Sequence, residues 1–446
     1  MIRLVLADIR MQASMWLWAL LCAVVGAACV AGSLIAMFTS IAAAQSVGDS
    51  RIVSASIALG GNIVFFTVIA AMGIISSTVG LTLTTQRREH ALWVILGIPR
   101  HRVRAILRIE LMVLGLVAGA LAILPAYLVA GITLKQWAAT GLELHNDSVA
   151  FQIWHVGVSL LAGIIPCLLG GWGLSAKAAR TPEMRAFREA TDSAARPGIA
   201  RSIFALCLLT GVVGMWIPGL GLELEGGFEQ RTAFAFAGNL FLICLLLLMG
   251  PWVLTPLMKL WTALVRSRNV AWHLAVQSCR TRAARSVTTI LPFALSLSLV
   301  GLFIVMGNVM PNSNAGMGDV LVVLGLVFVV AWVGGLAVIA LVGKERQRDS
   351  ALISVAGAPP GVIAQSAILE GVIYAGTAIV FGAVTLTITV ITIAAGARID
   401  AFSLFAGIPW TILGTLAVAT LATTCLALAV QAALASRTIP VRALRT

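Results

Sequence analysis

Residues 84–110 read "TTQRREHALWVILGIPRHRVRAILRIE". An apolar run ends at the left edge of this stretch and another begins at its right. Between them lies a basic patch broken by Gly97-Ile98-Pro99. Gln86 to Leu96 contains neither glycine nor proline, and Arg88, Leu92 and Leu96 fall at i, i+4 and i+8 on one helix face. Gly97 suits the left-handed position that closes a helix. Pro99 suits the first turn of the next helix. The stretch predicts a short helix, a sharp stop and a new membrane helix.

The rest of the chain says what surrounds it. Of 446 residues, 60% are hydrophobic and 11% are charged, against roughly 25% charged in soluble domains. A bilayer core about 30 Å thick needs about 20 apolar residues per helix. Ten runs meet that length: 15–38, 56–84, 104–131, 152–176, 201–219, 234–258, 287–308, 319–343, 361–395 and 408–434. The fold class expected is an all-α integral membrane protein with ten transmembrane helices.

The net charge of +13 would suggest nucleic acid in a soluble protein. Here it has another reading. With the N-terminus inside, the inner segments hold 26 Lys and Arg, and the outer ones only Arg51, Lys135, Arg231 and Arg398. That bias places both termini in the cytoplasm, with no nucleic-acid partner. The outer loops are too short for a folded domain of about 50 residues.

The opening segment occurs twice. Residues 345–370 read "ERQRDSALISVAGAPPGVIAQSAILE". At a shift of 260 positions, Arg88 meets Arg348, Glu89 meets Asp349 and Leu92 meets Leu352. Gly97 meets Gly357, Pro99 meets Pro359 and Glu110 meets Glu370. A second echo matches "AARTPEMRAFRE" from Ala178 with "ASRTIPVRALRT" from Ala435, six of twelve positions being identical. Each copy has four spans, a basic insertion after its second span and an Arg-Thr tail after its fourth. Both copies start inside, so they are parallel repeats. The segmentation is 1–190 for the first module, 191–265 for a linker with two spans, and 266–446 for the second module. The inserted helices fall at about 86–97 and 346–357.

The stretch "QRREHALWVILGIPRHRVRAILRIE" resembles the FtsX-like permease module of ABC transporters, typified by MacB-type exporters and bacitracin-resistance permeases. Two modules separated by two spans resemble the ten-span bacitracin type most closely, without the large extracellular domain: loops 39–55 and 309–318 are too short to hold one. The resemblance implies a bacterial cytoplasmic-membrane permease whose insertions are coupling helices docked on an ABC ATPase, in two copies for two modules. Arg87, Arg88, Glu89, Leu92, Leu96, Gly97 and Pro99 would form the first coupling element. Arg348, Asp349, Leu352, Gly357 and Pro359 would form the second. ATP and Mg would belong to the partner, with no cofactor or metal in this chain. The sequence agrees with a separate ATPase, since its only Gly-Lys, Gly343-Lys344, is followed by Glu345 and makes no phosphate loop. No Ser-His-Asp or Cys-His pairing stands out either, so no catalysis is expected here.

Glu110 and Glu370 stand where each copy enters its third span, at headgroup level, where Arg108 is placed to pair with the first. Gly115 and Gly119 form a G-x-x-x-G pair suited to close helix packing. The outer segments carry a net charge of −4, from eight acids against four bases. They are suited to steering a cationic amphipathic cargo. The resemblance, with spans nearly free of charge, implies a hydrophobic or amphipathic substrate, such as an antimicrobial peptide, a lipid or a drug, taken from the membrane. The alternative is a mechanotransmission complex that signals to a cell-envelope partner and exports nothing. The seven cysteines predict no disulfide framework.

Overall fold

A computed structural model describes residues 13–85, 92, 94–96, 98–139, 149, 151–180, 199–221, 227–265, 267–309, 317–355 and 357–436. Among the described residues every regular element is an α-helix. The first four are α1 (Ala13–Val47), α2 (Ser50–Thr85), α3 (Arg100–Ala139) and α4 (Ile153–Arg180). Next come α5 (Ile199–Gly221), α6 (Gly227–Leu248), α7 (Gly250–Leu264), α8 (Val270–Thr281) and α9 (Ala283–Val309). The last are α10 (Met317–Val355), α11 (Pro360–Ala397), α12 (Ala401–Ala406) and α13 (Trp410–Ser436). Ten of them are long and apolar enough to cross a membrane. The protein is an all-α integral membrane protein, because a lipid-exposed backbone must satisfy its hydrogen bonds within each segment.

One expectation from the sequence is corrected. The run 234–258 is not one straight span: α6 ends at Leu248, and α7 starts at Gly250 with Pro251 in its first turn. Pro251 has no N–H to give the preceding turn, so the ladder breaks there. Trp252 N–H turns to the Met249 carbonyl at 2.9 Å, and the Leu248 carbonyl instead accepts from Arg201 Nε at 2.8 Å. The segment after residue 265 contains α8. Asn269 caps it through Oδ1, which accepts from Ala271 N at 2.9 Å. Ala271, Trp272, Ala275 and Cys279 form its buried face.

The chain divides into two compact units, Met1–Thr191 with Asn314–Leu341, and Asp192–Ser313 with Val342–Thr446. The sequence segments follow the repeat, whereas these units follow packing. The membrane part of α10 therefore belongs to the first unit, and the linker spans α5 and α6 to the second.

In the first unit α1 packs on α2, α3 and α4, and α3 packs on α4. Trp16, Ile75, Val103, Leu107, Leu111 and Cys167 meet in its core. The α3–α4 seam is closed by glycine. A Cβ on Gly115 would lie 2.8 Å from the Gly163 carbonyl, and one on Gly119 would lie 2.7 Å from the Leu160 Cα. Ser159 Oγ donates to the Gly119 carbonyl at 2.7 Å across the same seam. The G-x-x-x-G pair thus lets two backbones touch.

In the second unit α11 is the hub, packed against α5, α6, α7, α8, α9, α12 and α13. Threonines on α11 supply its polar ties. Asn239 Nδ2 donates to Thr392 Oγ1 at 2.7 Å, Thr385 Oγ1 to Ser298 Oγ at 3.0 Å, and Trp261 Nε1 to Thr377 Oγ1 at 2.9 Å. The seam equivalent to α3–α4 is α11–α13. Its closest approach has moved one turn, to Gly371 against Cys425 Cα at 3.0 Å. All seven cysteines are free.

Candidate functional site

The second copy of the repeated segment shows how the site is built. The apolar span on α10 is Gly325–Gly343, yet the helix runs on unbroken to Val355. Twelve further residues at 1.5 Å each extend it by about 18 Å. The sequence predicted a separate short helix at about 346–357, and this is a correction. Hydropathy falls at Lys344, but nothing there interrupts the backbone ladder. Gly343 packs against Gln431, whose Cδ would lie 3.1 Å from a Cβ added there.

The helix stops as the sequence predicted. Gly357 adopts φ +95°. Its N–H donates to the Ser354 carbonyl at 3.0 Å, and Ala358 N–H to the Ile353 carbonyl at 3.2 Å. These are the paired bonds of a Schellman stop. Gly357→Ala is expected to cost about 1 kcal/mol, read as a lower thermal unfolding midpoint of the detergent-purified protein.

The next helix starts at once. Pro359 is its N-cap, with φ −68° and ψ 145°, and Pro360 follows inside the first turn. Val362 and Ile363 N–H both donate to the Pro359 carbonyl, at 3.0 and 3.4 Å. In the first copy Arg102 and Val103 N–H donate to the Pro99 carbonyl, at 2.8 and 3.3 Å. The same two bonds recur at the same shift of 260. Both prolines sit one position earlier than the first-turn placement expected from sequence. Proline fits there because an N-cap contributes its carbonyl and needs no N–H of its own.

What the two junctions display is apolar. Leu92 is 47% exposed, Leu96 79% and Leu352 53%. Ile95 and Val355, equivalent at the same shift and not singled out from sequence, are 59% and 68% exposed. Spacings of three and four put these side chains on one face in each copy. Their spacing of three from Leu92 and Leu352 was the available signal.

The remaining candidates are spread more widely. Arg348 and Asp349 lie on the extension of α10, described through backbone only. Arg87, Arg88, Glu89 and Gly97 lie outside the described residues. Pro99 and Pro359 are exposed. Glu110 is buried in α3, while Glu370 on α11 is half-buried. The Arg108 guanidinium, expected beside Glu110, lies 3.9 Å from the Trp172 ring centre. Among the described residues no group of three metal-binding side chains converges. The arrangement offers two exposed apolar knobs, the second of them at the end of the continuous helix α10, a mechanical contact.

Residues 61–182 match the family model described as FtsX-like permease C-terminal. The matched stretch includes Leu92, Pro99, Glu110 and the glycine seam between α3 and α4. It supports a membrane permease component of an ABC-type system. No curated protein matches the chain.

Proposed function

We propose that this chain is the permease subunit of an ABC-type exporter in a bacterial cytoplasmic membrane, with both termini in the cytoplasm. Its layout is that of the ten-span bacitracin-resistance type and its mechanics that of MacB-type exporters. A separate ATPase, one copy for each knob, binds ATP and Mg, and its ATP-driven closure moves the knobs. Its two copies grip the faces carrying Leu92 with Ile95 and Leu352 with Val355. The pull passes up α10 as a rigid rod, and through the Pro99 and Pro359 junctions into α3 and α11. The cargo is amphipathic or hydrophobic, such as an antimicrobial peptide, a lipid or a drug, expelled laterally from the membrane.

The observation that carries this reading is the doubled apolar face beyond the spans. A solvated loop has no need of it, whereas a docked partner buries it. The test is co-purification with an ABC ATPase, sought first in the neighbouring reading frames, followed by hydrolysis assays in reconstituted vesicles. An ATPase that binds and is stimulated by a cationic amphipathic peptide supports export. Binding without stimulation by any amphipathic cargo points instead to mechanical signalling towards an envelope partner. Absence of binding defeats the reading.

A further inference from the structure

Arg104 and Arg108 stand one turn apart on α3, both half-buried. The Nε of each is shut away from solvent with no acceptor in reach. Arg231 and Arg280 share such an Nε, but Arg280 still donates through Nη2 to the Lys259 carbonyl at 3.3 Å and Thr262 Oγ1 at 3.2 Å, and Arg201 Nε donates to the Leu248 carbonyl at 2.8 Å. Arg108 is instead stacked on Trp172 of α4, which fixes the plane of its guanidinium. Glu110, two residues further on, lies about 200° around the helix and faces away from Arg108. Two half-buried guanidiniums, each with an Nε lacking an acceptor, favour an anion between them.

Depth says which kind. The apolar span of α3 covers 38 residues, about 57 Å of helix against a hydrocarbon core of about 30 Å. Its ends therefore overhang the core, and Arg104 and Arg108 fall at the headgroup layer. Trp172, exposed, lies five residues before Lys177, where the apolar run of α4 gives way to charge, the usual depth for tryptophan. The second copy has Ala364, Ile368 and Ala429 at the equivalent positions. All three residues are lost together there, whereas the knob and junction occur in both copies. The cluster is therefore separate from the shared lever.

We propose that Arg104, Arg108 and Trp172 form a site for the phosphate of an anionic phospholipid, present in the first module only. Two guanidinium forks bind phosphate oxygens, and the indole holds one fork in place. This rests on the membrane reading of the ten helices and not on the exporter reading, so an ATPase that fails to dock leaves it standing.

The full chain in neutral detergent is mixed with phosphatidylglycerol or phosphatidylcholine, and retained lipid is counted by native mass spectrometry. The wild type keeps phosphatidylglycerol in preference to phosphatidylcholine. Arg104→Gln with Arg108→Gln weakens that retention about thirty-fold, while Arg102→Gln, an exposed neighbour, retains it. Trp172→Leu keeps both charges and still weakens retention, and it decides the matter should the double variant not fold. Undiminished retention in these variants overturns the site. Displacement of the lipid by millimolar inorganic phosphate overturns the lipid assignment in favour of a free phosphate.

Discussion

Replacing Leu92 and Leu352 together by glutamate is expected to release the ATPase. Burying a leucine side chain contributes about 1.5–3 kcal/mol. Losing two such contacts weakens docking by about a hundred-fold or more, since every 1.4 kcal/mol is about a factor of ten. Glutamate adds a desolvation cost on top of that loss. The measurement is ATPase co-purification and cargo-stimulated hydrolysis in vesicles. Both fall to background in the double variant, while each single variant keeps part of the binding through the other knob. Leu92→Met with Leu352→Met, which keeps apolar volume, leaves both near wild type. Undiminished docking of the glutamate variant would place the ATPase contact elsewhere.

The second large effect belongs to the α3–α4 seam. Gly119→Leu pushes a side chain into the backbone of α4, where Leu160 Cα and the Ser159 carbonyl both lie 2.7 Å from its Cβ. Backbone cannot rotate away, so the helices must part and the Ser159–Gly119 hydrogen bond is lost. Overpacking of this kind costs about 1–3 kcal/mol, and the broken seam adds to it. The expected result is aggregation, or a thermal midpoint lowered by several degrees. Gly131→Ala on the same helix is the control. No atom lies within 4 Å of its added Cβ, and alanine favours helix, so its midpoint should hold or rise. A Gly119→Leu protein as stable as the wild type would show that the seam is not closed by backbone contact.

The ten spans were legible because lipid leaves so few solutions: long apolar runs must be helices. The Gly357 stop was legible for a similar reason, since few residues other than glycine tolerate its φ. Where a helix ends relative to its apolar stretch was not legible. At Lys344 the hydropathy changes and the ladder does not, so span and lever are one helix. The break at Met249 was hidden because hydropathy runs unchanged across it, although Gly250-Pro251 was the signal. Helix α8 was hidden by its charge, although Asn269 as a cap and Trp272, Ala275 and Cys279 at helical spacing marked it. The knobs at Leu92 and Leu352 came from repetition, and Ile95 and Val355 complete their faces only once exposure is known. The Arg104–Arg108–Trp172 cluster joins two helices far apart in sequence, so no local pattern announces it.

The central claim is that α10 acts as a rigid rod between its span and a docked motor. Gln347→Pro tests it, because a proline inside the extension costs about 3 kcal/mol of helix and kinks the rod without changing its length. In vesicles with the ATPase and a fluorescent cationic amphipathic peptide, the account predicts that the ATPase stays bound and ATP-driven movement of the peptide is lost. Peptide movement at the wild-type rate through a kinked α10 would contradict it.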